Sequence, residues 1–256
     1  MADLPTRISG VELRCSDVKA SAEFYRRTVG LQPNSISLDR AELRGPAGGG
    51  ALLSLVRAER GGRVATGSTG LFHTAFRYPD RAGLAAALER VASAGASVSG
   101  VADHGVSEAL YLDDPDGMGI ELYRDRPREQ WPQPAEGERI AMFTKPLDLA
   151  GLRAARSESD GAPNVEIGHV HLKVADPADA LAFWTEELGM ELMTRFGEDA
   201  IFCAFDDYHH HIGANAWFSR DAEPEPDDGP GLAAVSIHAV GGELRTPDGT
   251  LIRRVG

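Results

Sequence analysis

The sequence predicts an α+β protein built from tandem βαβββ-like units, four in number, with the fourth truncated. Three observations carry this. The stretch Ile8-Ser-Gly-Val-Glu-Leu-Arg-Cys-Ser-Asp17 is nearly repeated as Ile167-Gly-His-Val-His-Leu-Lys-Val-Ala-Asp176. Each copy leads through an Asp able to cap a helix into a short amphipathic stretch, Ala20–Tyr25 or Ala180–Trp184, and stops at a glycine, Gly30 or Gly189. The turn Asp114-Pro-Asp-Gly117 returns as Thr246-Pro-Asp-Gly249 near the C-terminus. A period of this kind constrains the whole architecture.

The elements follow in order. Residues 7–57 read as strand, a helix over roughly 17–30, then strands at Ala41–Arg44 and Ala51–Val56 with a glycine-rich turn between them. In residues 70–125, Leu71–Arg77 alternates as a strand and Asp80 caps a helix through Leu84, Leu88 and Val91. Strands at Glu108–Leu112 and Gly119–Tyr123 flank the turn and close the unit. A third unit runs over 166–220 and ends in Tyr208-His-His-His-Ile-Gly-Ala-Asn-Ala-Trp217. After an acidic, proline-rich loop at 221–230, a fourth starts at Gly231, with no room for a helix between Ile237 and Leu244. One such unit leaves a sheet face bare; paired units bury it and curve around a cavity. Pairing in chain order gives an N-terminal domain over 1–130, a connector over 131–165 with a helical piece near Leu147–Arg156, and a C-terminal domain over 166–256. The missing fourth helix should leave the C-terminal cavity open on one side, collapsed, or covered by a second copy of the chain in a homodimer.

Composition narrows the function. A net charge of −13 without a basic block excludes nucleic acid and anionic membrane as main partners. No apolar run spans a bilayer and no signal peptide is evident, so a cytoplasmic location is expected. Cys15 and Cys203 lie far apart and read as reduced thiols. There is no phosphate-binding glycine loop and no nucleophile–His–acid pattern.

Several phrases are more specific: Asp103-His-Gly-Val-Ser-Glu-Ala-Leu-Tyr-Leu112, Asp114-Pro-Asp-Gly-Met-Gly-Ile-Glu-Leu-Tyr123, Asp125-Arg-Pro-Arg-Glu-Gln-Trp131 and Tyr208-His-His-His-Ile-Gly213. With the unit repeat, they make the chain resemble the vicinal oxygen chelate superfamily of glyoxalases, bleomycin-resistance proteins and extradiol dioxygenases, in its two-domain catechol 2,3-dioxygenase-like branch. The resemblance implies a small-molecule substrate chelated through two oxygens, dioxygen as co-substrate, and Fe(II), or else Mn(II) or another divalent ion, held by two His and one Glu.

It also implies where ligands stand: a His seven residues before the helix-capping Asp and a Glu in the Gly-Ile-Glu-Leu phrase. In the N-terminal half these positions are 10, His73 and Glu121; position 10 is Gly, and Glu12, the nearest carboxylate on that strand face, is the substitute ligand that would complete a site of one His and two carboxylates. Glu12 lies one strand step away, about 7 Å, a large shift for metal bonds of about 2 Å. In the C-terminal half they are His169, Ala234 and Arg253, so a cation stands where a ligand belongs. His210 matches the acid/base His of extradiol enzymes, and an alternative His-only site would join His169 to His211. His104, in a glycine-containing loop, is a second catalytic candidate.

Blander readings stand beside these. His73 and Glu121 could be a hydrogen-bonded cavity pair without metal, and His169 and His171 strand residues without a role. Three consecutive histidines alternate faces, so His209, His210 and His211 cannot all enter one cavity. Loss of the position 10 ligand would equally suit an isomerase, lyase or cyclase, or a metal-free binding or resistance protein on the same fold.

Overall fold

The computed structural model describes residues 7–156 and 164–256. The first unit holds β1 (Ile8–Cys15), α1 (Val18–Thr28), β2 (Gln32–Ile36), β3 (Arg40–Arg44) and β4 (Leu53–Arg57). The second holds β5 (Gly70–Tyr78), α2 (Arg81–Ser93), β6 (Gly100–Asp103), β7 (Ser107–Asp113) and β8 (Gly119–Asp125). The connector carries α3 (Leu149–Ala154). The third unit holds β9 (Glu166–Lys173), α4 (Pro177–Ala182), which widens into a π turn at Phe183–Glu187, then β10 (Glu191–Phe196), β11 (Ala200–Ala204) and β12 (Ile212–Asn215). The fourth holds β13 (Gly231–His238), β14 (Glu243–Arg245) and β15 (Leu251–Val255), without a helix, as its length requires.

The caps form as the residue types demand. Asp17 accepts hydrogen bonds from the Lys19 and Ala20 amides, Asp80 from Gly83 and Asp176 from Ala178. Gly30 and Gly189 end their helices at φ 91° and 69°, where a side chain would be strained. In the second-unit turn the Asp114 carboxylate accepts from the amides of Asp116 and Met118, so it is a structural turn.

Two mixed sheets result. One has strand order β14-β15-β13-β1-β4-β3-β2 and the other β10-β11-β12-β9-β5-β8-β7-β6. The first sheet therefore joins unit one to unit four, and the second joins unit two to unit three. This corrects the chain-order grouping of 1–130 and 166–256. The repeat shows that four units exist but not which first strands meet. That is settled by main-chain hydrogen bonds: β1 runs antiparallel to β13, with Val11 opposite Val235, and β5 antiparallel to β9, with Thr74 opposite Val170. Among the described residues units three and four share no sheet, so the paired sheet expected to curve around a C-terminal cavity is not built.

Alternation along the central strands divides core from cavity. Ile120 and Leu122 on β8, and Val170 and Leu172 on β9, join the apolar core with Leu13, Leu53, Tyr25 on α1, Leu84 on α2 and Trp184. Glu121 and Tyr123, and His169 and His171, take the opposite face. Each large buried side chain of that core contributes about 1.5–3 kcal/mol, which holds rigid the strands that present the polar face.

Candidate metal centre and cavity

The eight-stranded sheet curls around a cavity of about 380 Å³. Ala75 on β5 lies between Glu121 on β8 and His169 on β9 in one lateral row; His73 lies between Gly119 and His171 in the next. Residues in register across a sheet share a face, so these rows bring His73, Glu121 and His169 together, and the small Ala75 leaves room between them. His73 Nε2 lies 2.9 Å and His169 Nε2 3.1 Å from the same Glu121 oxygen, Oε2. One potential ligand atom from each residue falls within 4.8 Å of the other two, and all three side chains are buried.

Electrostatics prepares these groups for a cation. Burial pushes the His169 imidazole down to about 4 against the pull of Glu121, so it is neutral at pH 7. Burial alone would raise the Glu121 carboxyl; His169 and His73 outweigh it and hold the acid well below the usual carboxylate range. His73 Nε2, although close to the carboxylate, makes no hydrogen bond. An unpartnered buried nitrogen, a neutral imidazole and a carboxylate converging on one point are a donor set that fits a divalent transition metal and leaves open positions for further ligands.

The third candidate ligand is therefore His169, from unit three. Glu12 is not brought to this site: it sits on the other sheet, paired with Arg40 at 3.0 Å and Arg253 at 3.2 Å. The His169–His211 alternative also fails, because His211 turns away, accepts the Phe205 amide at Nδ1 and packs on Tyr208. Of the three consecutive histidines, only His210 is part of the cavity wall.

The wall carries further polar groups. His104 lies between β6 and β7. Its Nδ1 is 2.9 Å from the Phe143 carbonyl, which can only accept, so Nδ1 bears the hydrogen. Nε2 then accepts from the Tyr111 hydroxyl at 2.8 Å. Asn215 Oδ1 accepts the Trp217 amide, which turns its Nδ2 to His171 Nε2 at 3.0 Å. His171 thus carries its hydrogen on Nδ1, the polar atom it has left for the cavity. Gly213 permits this packing, since a Cβ there would fall 2.9 Å from the His171 ring. Burial and the neighbouring imidazoles keep both His171 and His210 well below the ordinary histidine range, hence neutral. Phe72, Phe196, Phe202 and Trp217 complete a mostly apolar wall that includes no Lys or Arg.

Sequence reasoning singled out His73, Glu121, His169, His104 and His210, which the fold gathers around one cavity. It left His171, Tyr111 and the aromatic wall without a role. The alternation of His169 with His171 was the available signal for His171.

The family description "Glyoxalase/Bleomycin resistance protein/Dioxygenase superfamily" matches residues 7–122. A protein named catechol-2,3-dioxygenase from Bacillus subtilis is 39% identical over 234 residues, covering 89% of this chain and 80% of that protein. The chain belongs to this superfamily. Solved members share the fold at low identity. A putative dioxygenase from Bacillus subtilis superposes with a TM-score of 0.62 at 14% identity, over 92% of this chain and 71% of that one. Glyoxalase I from Zea mays superposes with a TM-score of 0.57 at 15% identity, over 96% and 90%. Among the described residues, no helix of this superfamily member is long and apolar enough to cross a membrane.

Proposed function

We propose that the protein is an extradiol dioxygenase that cleaves the ring of an uncharged catechol. The observation that carries this reading is the convergence of His73, Glu121 and His169, with His210, His104 and Tyr111 on the same wall. The 39% identity to a protein named catechol-2,3-dioxygenase supports it.

His73, Glu121 and His169 would hold Fe(II), with Mn(II) the next candidate. Such an ion, when bound, supplies a Lewis acid for the two phenolic oxygens and a redox partner for dioxygen. The rest is the work of the chain. His210, neutral and on the cavity wall, takes a phenolic proton as general base and returns one later. The Tyr111 oxygen, whose hydrogen goes to His104 Nε2, accepts a hydrogen bond from a substrate hydroxyl, and the Nδ1–H of His171 donates one to an oxygen of the reacting ring. The net change breaks the ring carbon–carbon bond beside the two hydroxyls and places both atoms of dioxygen in one product. The aromatic wall stacks on the ring. A carboxylate substituent would lose its hydration with no cation to meet it, so unsubstituted and alkyl-substituted catechols are the preferred class.

The test is anaerobic loading with Fe(II), addition of catechol or 4-methylcatechol, and admission of air. Stoichiometric dioxygen uptake with appearance of a ring-opened, visibly absorbing product is expected. Bound Fe(II) without dioxygen uptake would reject the reading.

A further inference from the structure

We infer that His209 and Asp125 are positioning residues that hold His210 in one tautomer, with its hydrogen on Nδ1 and a bare Nε2 offered to the cavity. The inference rests on the reading of His210 as the base toward substrate, but its physical content is independent of turnover.

Three contacts in series carry it. Asp125 stands at the end of β8, four residues past Glu121 on the same strand. Its Oδ2 receives Arg77 Nη1 at 2.9 Å and the Tyr208 hydroxyl at 3.0 Å, and its Oδ1 lies 2.8 Å from His209 Nε2. A carboxylate only accepts, so His209 Nε2 carries a hydrogen. With the one ring hydrogen on Nε2, the other nitrogen, Nδ1, is bare. It lies 2.8 Å from His210 Nδ1. Two bare nitrogens at that distance would repel, so His210 Nδ1 is the donor, and His210 Nε2 is left with its lone pair free. His210 lines the cavity, and Nε2 is the only ring nitrogen it has left to offer there.

The relay is held as well as aligned. The His209 ring is fully buried, 4.1 Å from the Tyr208 ring and 5.5 Å from Trp131, centroid to centroid. Tyr208 in turn bonds Tyr123 at 2.8 Å, two residues along β8 from Glu121. The orientation of His210 is thus tied to the strand that presents the carboxylate of the metal site. A general base whose proton sits on the wrong nitrogen cannot accept from substrate, which is why a second group commonly fixes the tautomer of a catalytic imidazole.

The experiment uses the full chain as wild type, His209→Leu and His209→Gln. Glutamine can accept through its carbonyl from His210 and donate through its amide to Asp125; leucine can do neither. Nitrogen-15 NMR of histidine-labelled metal-free protein reads which nitrogen of His210 is protonated. The expected result is hydrogen on Nδ1 in wild type and His209→Gln, and loss of that single tautomer in His209→Leu. With Fe(II) loaded and rates expressed per bound iron, His209→Leu should lower kcat on catechol by roughly tenfold to hundredfold with KM within about threefold, and His209→Gln should restore most of it. Hydrogen on Nε2 of His210 in wild type, or one tautomer common to all three proteins, overturns the inference, as does an unchanged kcat in His209→Leu. If wild type cleaves no catechol, the proposed function fails while the NMR result still decides this point.

Discussion

Replacing Glu225 with glutamine should make the protein more stable at alkaline pH and leave it nearly unchanged in acid. Glu225 lies in the acidic loop between the third and fourth units, yet its side chain is buried where the two sheets meet. It sits against Gly70 of β5 and Gly231 of β13. Oε1 accepts the Leu232 amide and faces Arg14 Nη2 at 3.3 Å, whereas Oε2 is buried without a hydrogen bond. Burial, only partly offset by the Leu232 amide and the Arg14 charge, raises this carboxyl from 4.5 to about 7. A raised acid binds its proton more tightly in the folded state. Its contribution is therefore fully present below pH 4.5 and is lost as pH rises through 7. At 1.36 kcal/mol per pH interval the loss is about 3 kcal/mol, most of it falling between pH 5 and 8. Glutamine mimics the protonated acid, including its inability to neutralise Arg14, so it escapes that loss. Denaturant unfolding of metal-free wild type and Glu225→Gln at pH 5 and pH 8 should show the variant gaining about 2–3 kcal/mol relative to wild type across the interval. Parallel behaviour, with the difference constant to about 0.5 kcal/mol, would refute the reasoning.

Three further outcomes are expected. Elemental analysis after Fe(II) loading should find metal lost in His73→Ala, His169→Ala and Glu121→Ala, and retained in Glu12→Ala and His211→Ala. Gly119→Ala would drive a methyl group into the Phe72 carbonyl and against the His73 Cβ; thermal unfolding should show a cost of about 1–3 kcal/mol, and the metal should bind more weakly. Arg253→Glu should acquire no metal, because Gly10 and Ala234 offer no ligand. It should lower the melting temperature by gathering like charges at Glu12 and Glu243, both of which now meet Arg253.

The four units and the three capping aspartates were legible in local pattern, and His73, Glu121, His169 and His210 in the family resemblance that the motifs carry. Partnership between units was not. His73 and Glu121 belong to one unit, and their third companion was sought at position 10, where glycine stands. The companion is His169, because β5 bonds to β9 and not to β1. That choice is made by main-chain groups, which every residue carries alike, so side-chain pattern is silent about it. The same blindness hid the contact of Asp125 with His209, which lie 84 positions apart.

The arrangement of the sheets bears on how the molecule comes together. Strands β5 to β12, which enclose the cavity, belong to one unbroken stretch of chain, and their pairings are short-range compared with that of Val11 to Val235. Closing so long a loop is entropically costly and slow, whereas nearer partners find one another early. On a growing polypeptide, the half that bears the histidines can assemble while β1 still waits for β13. The sheet built from the first and last units then acts as a clasp, fastened last, that closes the shared core behind a site already framed by its own strands.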